Sequence, residues 1–194
     1  NRGMKLLPPP VKVTAQSHDI PVFQPTQLRD GSALEELRAL APELIVVAAY
    51  GRILPQEILD LPPKGCINVH SSLLPRYRGA APINWAVVNG DKETGVTIMK
   101  VAPELDAGDI LGQVSTPIDP EETVETVHDR LAGLGGELLV KVVEKIAAGT
   151  VQAVPQDPQL VTYAPMLSRA LAPIDWSQSA NSIHNKVRGL VPWP

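Results

Sequence analysis

The stretch Cys66-Ile67-Asn68-Val69-His70-Ser71-Ser72-Leu73-Leu74-Pro75-Arg76-Tyr77-Arg78-Gly79-Ala80-Ala81-Pro82 decides how this chain folds and where its chemistry sits. Residues 66–70 follow a glycine and read as a strand, and side chains two apart on a strand share a face. Asn68 and His70 therefore point one way, Ile67 and Val69 the other. A carboxamide beside an imidazole makes a carbonyl-polarising and acid/base pair. Next comes a loop with Pro75, the Arg76-Tyr77-Arg78 cluster and Gly79, after which Pro82 opens a helix through Ile83, Trp85, Val87 and Val88. Strand, polar loop and helix start are the parts of an α/β active site.

On either side, strand-like and helix-like segments alternate, which predicts an α/β domain with a largely parallel sheet. Residues 20–23, set between prolines, read as a short strand. Residues 33–40 read as a helix capped by Ser32, with Glu35 and Glu36 in its first turn. The unbroken apolar run at 44–49 has the pattern of a strand buried on both faces. A loop at 50–55 and a short helix at 56–61 follow. Ligands of open α/β sheets sit outside the carboxyl ends of the strands, so the loops after Ala49 and His70 are expected together at the site.

Further on, the apolar runs 97–101 and 110–114 flank Glu104-Leu105-Asp106-Ala107-Gly108-Asp109. Asp109 reads as a turn residue; Asp106 reads as a carboxylate delivered to the site at a strand end. Helices are expected at 123–132 and 137–148, separated by Gly135 and Gly136, with Val124, Val127 and Leu131 on one face of the first. Residues 150–173 are rich in Pro and Gln and read as a linker before a last helix at 179–188.

With 194 residues, 44% of them hydrophobic, and a net charge of -4, the chain suits one soluble globular domain with appendages. No apolar run approaches the roughly 20 residues of a spanning helix, and no segment resembles a signal peptide. A single Cys66 excludes an internal disulfide framework, and without His/Cys clusters a structural zinc site is excluded too. A cytosolic or organelle-matrix location fits this usage. Mild acidity argues against a broad nucleic-acid surface, although a local basic patch can still bind RNA. The absence of a phosphate-cradling glycine motif weakens a dehydrogenase reading. Ser71 and Ser72 lack the Gly-x-Ser-x-Gly setting of a hydrolase nucleophile.

Asn68-Val69-His70, Ser72-Leu73-Leu74-Pro75, Arg78-Gly79-Ala80-Ala81-Pro82, Thr94-Gly95-Val96-Thr97 and Leu105-Asp106-Ala107-Gly108-Asp109 together resemble the formyltransferases that use 10-formyltetrahydrofolate. Arg2-Gly3-Met4-Lys5-Leu6, the segments 10–12 and 20–25, Ile174-Asp175-Trp176 and Pro192-Trp193-Pro194 place the resemblance in the branch that formylates methionyl initiator tRNA. It implies a Rossmann-like domain whose catalytic residues are Asn68, His70 and Asp106. It assigns Ser72, Leu73, Leu74 and Pro75 to the tetrahydrofolate pocket, with loop 50–55 as an apolar wall. Arg2 and Lys5 would approach the tRNA acceptor end, and Arg76 and Arg78 anionic groups of cofactor or tRNA. The formyl donor is 10-formyltetrahydrofolate, with no metal; the enzyme is expected in the bacterial cytoplasm, or an organelle matrix, as a monomer when full length. Trp85, Trp176 and Trp193 are expected to serve packing.

Members of this family begin with a strand, a helix and a second strand and continue into a small β-barrel domain, and the resemblance leads to the expectation that this chain has neither. Residues 1–149 are therefore expected to be an incomplete catalytic domain, and 150–194 a linker and helix leading towards the absent one. A doubly wound sheet without its first strand is expected to fold poorly alone. The same three polar groups would also serve a sugar or glycinamide ribonucleotide formyltransferase or a formyl-folate hydrolase. A dead folate- or RNA-binding module is disfavoured by their being intact.

Formyl transfer to an amine requires attack on a formamide-like carbon, a stabilised oxyanion, loss of a proton from the attacking nitrogen and protonation of the folate N10. Asn68 can donate its carboxamide N–H to the oxyanion, worth roughly 3 kcal/mol in comparable sites. His70 can add a second donor or shuttle a proton. Asp106 would hold His70 or accept the amine proton through water. An α-amino group titrates near pH 8, so about a tenth of it is already nucleophilic at neutrality and strong base activation is unnecessary.

Overall fold

The computed structural model describes residues 7–28 and 31–194, and the chain divides into two compact units, residues 1–40 and 41–194. Arg2 and Lys5 lie outside the described residues. The first unit holds helix α1 (Pro10–Ser17), opened by a proline whose missing N–H would be unpaired there in any case, and helix α2 (Ser32–Leu40). The Gly31 carbonyl accepts the Glu35 N–H at 3.1 Å, so the helix starts one residue earlier than expected and Gly31, not Ser32, takes the cap position. The strand expected at 20–23 is not formed. Pro21 has no N–H to give a ladder, and Ile20 and Phe23 are half exposed.

The second unit is built on strands β1 (Ile45–Ala48), β2 (Cys66–His70), β4 (Glu93–Lys100) and β5 (Ile110–Pro117), in the order β1-β2-β4-β5. A separate parallel ribbon pairs β3 (Arg78–Gly79) with β6 (Tyr163–Ala164). Its helices are α3 (Gln56–Leu59), α4 (Pro82–Val88), α5 (Val124–Ala147) and α6 (Ala180–Gly189). The α/β class is as expected. Parallel pairing in the main sheet is confined to β1–β2, where a crossover through α3 joins the strands, while β2–β4 and β4–β5 are antiparallel. Connection length accounts for the second of these, because β4 and β5 are joined by a nine-residue turn, too short for a parallel crossover; the connection from β2 to β4 carries α4 and is not limited in that way.

One sheet face carries Ile67, Val69, Val96 and Ile98 against α5. A Cβ placed on Gly135 would lie 3.4 Å from both Val69 and Val96. Val127, Leu131 and Val142 complete this layer, all nearly inaccessible to solvent. Each such buried side chain contributes about 1.5–3 kcal/mol to holding α5 on the sheet. The close approach explains why 124–147 form one helix where two were expected: Gly135 is where the helix touches the sheet, and the burial gained there exceeds the roughly 1 kcal/mol a helical glycine costs. Among the described residues no helix, α5 included, is long and apolar enough to cross a membrane.

β1 departs from its expected burial on two faces. Its residues alternate, and Val46 is 42% exposed, so an apolar run that reads as a central strand lies at the edge of the described sheet. Trp85 packs against the core and donates its indole N–H to the Pro165 carbonyl at 2.8 Å, as a packing residue should. Trp176 does not pack: it is 78% exposed.

The turn into α5 is fixed by charge. Arg130 forms a two-pronged pair with Glu122 and donates to the Pro117 carbonyl, while buried Arg188 of α6 donates to the carbonyls of Asp119 and Glu122. The hydrogen bond from Arg130 holds the Glu122 carboxyl below the usual carboxylate range, and the Asp119 N–H and the Arg130 and Arg188 charges act in the same direction against the effect of burial. A depressed folded-state pKa gives stability that is present above the unfolded value and lost as pH falls through the folded one. Glu122→Gln is therefore expected to lower the melting temperature at pH 7, with the gap to the parent closing as pH drops below about 4. A gap independent of pH would show that the pair adds nothing by titration.

Candidate active site

Asn68 and His70 stand on the face of β2 opposite α5. β2 is clamped on both sides, Asn68 lying opposite Val47 of β1 and Met99 of β4, and His70 opposite Thr97. A central strand bonded along both edges gives these side chains a rigid base. Asn68 is half-buried, and its carboxamide makes no hydrogen bond to another described residue. Cys66, on the same face, is no nucleophile: burial first, and the nearby Asp60 charge second, push its thiol pKa up.

His70 is buried and its Nε2 lies 2.9 Å from the Tyr77 carbonyl oxygen. A carbonyl only accepts, so Nε2 carries a hydrogen and the proton that His70 can exchange is the one at Nδ1. Nδ1 faces Asp106 Oδ2 at 3.7 Å, an ion-pair distance too long for a direct hydrogen bond. The same Oδ2 accepts the Gly79 N–H at 2.8 Å. The expected three groups are thus assembled, with Asn68 and His70 delivered by one strand and Asp106 by the turn after β4.

Both partners of His70 sit on unusual backbone. Tyr77 has φ +62° and Asp106 φ +47°, left-handed values that non-glycine residues adopt only when surroundings impose them. Tyr77 is imposed upon from both ends. Its N–H goes to Thr162 Oγ1 and its hydroxyl to Asp91, with Asn89 donating to the same hydroxyl. Burial pushes the phenol pKa up, against the Asn89 N–H and with the Asp91 carboxylate, so Tyr77 stays protonated and acts through its carbonyl.

The loop expected to hold folate is anchored from beneath by Thr97, which is fully buried. Its hydroxyl donates to the Ser72 carbonyl at 2.6 Å and accepts from Leu74 N–H at 3.1 Å and from Gln113 Nε2 at 2.9 Å. Ser72 is itself fully buried and donates to the Arg76 carbonyl, and Leu74 is buried, so within this loop Leu73 and Pro75 are the more accessible side chains. Thr97→Val, equal in shape but without the hydroxyl, is expected to cost about 2–4 kcal/mol, since it leaves the buried Ser72 carbonyl and Leu74 N–H without this partner, while Gln113 keeps its bond to the Leu74 carbonyl. Urea unfolding measures this, and a loss below about 1 kcal/mol would mean water replaces the hydroxyl.

The arginines are committed elsewhere. Arg78, 7% exposed in its side chain, bonds Gln156 and Glu104, and Arg76 pairs with Asp91 and lies over the Tyr77 ring at 5.2 Å. Arg78 is thus enclosed and fully engaged, whereas the Arg76 side chain remains 52% exposed. Tyr77 acts through its backbone, and Gln113 and Gln156 lie far from the site in sequence, so no local signal marks these three; Thr97 falls in one of the motifs quoted above, but its hydrogen bonds to the loop leave no trace there. A cleft of about 260 Å³ lies apart from these groups, lined by residues such as Ile174, Lys186 and Val187. Among the described residues, no cluster of His, Cys, Asp or Glu could hold a metal ion.

Comparison with known proteins bears on this arrangement. The chain is 58% identical over 193 residues to methionyl-tRNA formyltransferase from Moorella thermoacetica, covering 100% of this chain and 62% of that protein. It is 53% identical to the protein of the same name from Pelobacter propionicus, covering 60% of it. The chain thus spans about three-fifths of the length of these curated relatives. Among solved structures, HypX from Aquifex aeolicus in complex with tetrahydrofolic acid superposes with TM-score 0.74 at 20% identity, over 87% of this chain and 29% of that one. A 4-N formyltransferase from Francisella tularensis gives TM-score 0.76 at 19% identity, over 94% and 73%. At such identities the structures establish the fold alone. Residues 2–143 match the model of the formyl transferase family and 166–194 that of its C-terminal domain, so the clamped strand and acid turn described above are those of a chain that belongs to the formyl transferase family.

Proposed function

We propose that this chain carries the catalytic portion of a methionyl-tRNA formyltransferase, which moves a formyl group from 10-formyltetrahydrofolate to the amino group of methionyl initiator tRNA. The observation that carries the chemistry is the free carboxamide of Asn68 beside a histidine whose exchangeable Nδ1 faces Asp106. The acceptor is supported by the shared name of relatives 50–58% identical over the whole chain.

Asn68 donates an N–H to the oxygen that gains charge as the amine attacks the formyl carbon. His70 exchanges a proton at Nδ1 with the attacking nitrogen or the folate N10, and Asp106 stabilises the protonated ring. Leu73 and Pro75 present the accessible surface of the folate loop, with Ser72 and Leu74 shaping it from within. Arg2 and Lys5, outside the described residues, are assigned to the tRNA acceptor end. Residues 1–149 are assigned to the catalytic domain, and residues 166–194 match the model of the family's C-terminal domain. The bacterial relatives support a cytoplasmic site of action, and the enzyme is taken to work as a monomer.

The test is an assay of the full-length protein with 10-formyltetrahydrofolate and, separately, methionyl-tRNA, amino-sugar nucleotides and water. Formyl-methionyl-tRNA is the expected product. Turnover on a sugar or on water with none on the charged tRNA would overturn the acceptor assignment while leaving the donor in place.

A further inference from the structure

We propose that Gln156 is a positioning residue for Asp106, holding the acid turn at its working distance from His70; this rests on the formyl-transfer reading above. Residues 150–173, a linker by composition, instead run as a strap across the site. Val154 exchanges two backbone hydrogen bonds with Ile110, and Gln156 then reaches the turn. Its Nε2 donates to the carbonyls of Asp106 at 2.7 Å and Gly108 at 2.8 Å, while its Oε1 accepts from Arg78 Nε at 3.0 Å and Nη2 at 2.9 Å. Both amide hydrogens and the amide oxygen are thus used at once, which calls for a carboxamide specifically.

The placement of Arg78 gives this contact its consequence. Three successive residues serve three different groups: the Tyr77 carbonyl holds His70, the Arg78 side chain holds Gln156, and the Gly79 N–H holds the Asp106 carboxylate. Gln156 therefore ties the acid turn to the same short segment that orients the imidazole. Asp106 needs such a tie, because its left-handed backbone is costly to keep. Arg78 and its exposed partner Glu104 are the other charged groups in this cluster. Without the two bonds from Gln156 the turn can relax, and the separation between Nδ1 and Oδ2 changes with it.

The test compares Gln156→Glu and Gln156→Met with the parent in the full-length protein. Gln156→Glu keeps the Arg78 contact and loses both donated bonds; Gln156→Met keeps only the length. Both are expected to lower kcat for formyl transfer by about 10- to 100-fold, the effect of shifting a reacting group by about an ångström, with KM for the formyl donor within about twofold. Both should also move the midpoint of the His70 imidazole titration followed by nitrogen NMR, which loss of stability alone would not do. A folded variant with parental kcat and a parental His70 titration overturns the proposal. Should Gln156→Met unfold, Gln156→Glu decides; if both unfold, Gln156 is a structural residue and the proposal fails. If the parent transfers no formyl group, the functional reading fails, and the His70 titration still decides the role of Gln156.

Discussion

Asn68→Ala is expected to lower kcat for formyl transfer by about 100- to 1000-fold, the loss found when one preorganised oxyanion donor is removed. The expectation rests on what the side chain is not doing. No described residue takes a hydrogen bond from it or gives one to it, although it stands on a strand bonded on both edges. Its removal therefore strands no partner, and the melting temperature should shift little. A structural asparagine would behave the other way, costing stability when truncated. Asn68→Asp is expected to lose at least as much activity, because a carboxylate repels the developing oxyanion. Single-turnover kinetics at saturating donor isolates the step, and a loss below about fivefold would return Asn68 to a minor role.

The site was legible in the sequence wherever one local rule decided the outcome. Alternation over 66–70 placed Asn68 and His70 on one face, and a proline at the first helical position set the start of α4. Asp106 was legible as a carboxylate at a strand end, though not its left-handed backbone. What escaped depends on distant partners. The run 44–49 reads as doubly buried because composition reports how apolar a strand is, not how many neighbours cover it. Gly135 reads as a break because propensity counts the cost of a helical glycine, whereas the packing against Val69 and Val96 that outweighs it comes from strands at least 39 residues away in the sequence, by the difference 135 − 96.

The same blindness applies to residues 150–165. Pro and Gln over this span suggest a flexible connection, and no periodicity contradicts that. Yet the strap contributes Gln156, Thr162 and the Ala164 carbonyl to the segment around Arg78, each through a polar contact made over a long sequence separation. Hydrogen bonds of this kind leave no pattern in a single sequence. They do explain why an acid turn with strained backbone can be held in place without a helix or strand of its own.

Gly108→Ala is expected to be the most damaging small change in the molecule. A Cβ there would lie 1.8 Å from the backbone oxygen of Lys100 and 2.7 Å from its carbonyl carbon, far inside contact distance. Lys100 is held in turn: its N–H bonds the Asp109 carbonyl, and the next N–H, of Val101, bonds the carbonyl of Cys66 in β2. The clash cannot be relieved by rotating a side chain. Either β4 separates from the acid turn or the turn moves, taking Asp106 with it. The first outcome costs about 3 kcal/mol or more, a fall in melting temperature of roughly 6–12 °C for a chain of this size. The second keeps the fold and lowers kcat by about 100-fold through displacement of the carboxylate from His70. Gly136→Ala is the matched control, because a Cβ on this helical glycine meets nothing within 4 Å. The identical chemical change should there raise stability by about 0.4–1 kcal/mol and leave turnover unaltered. If thermal unfolding and kcat respond alike to the two substitutions, the contact between Gly108 and Lys100 does not hold the acid turn in place.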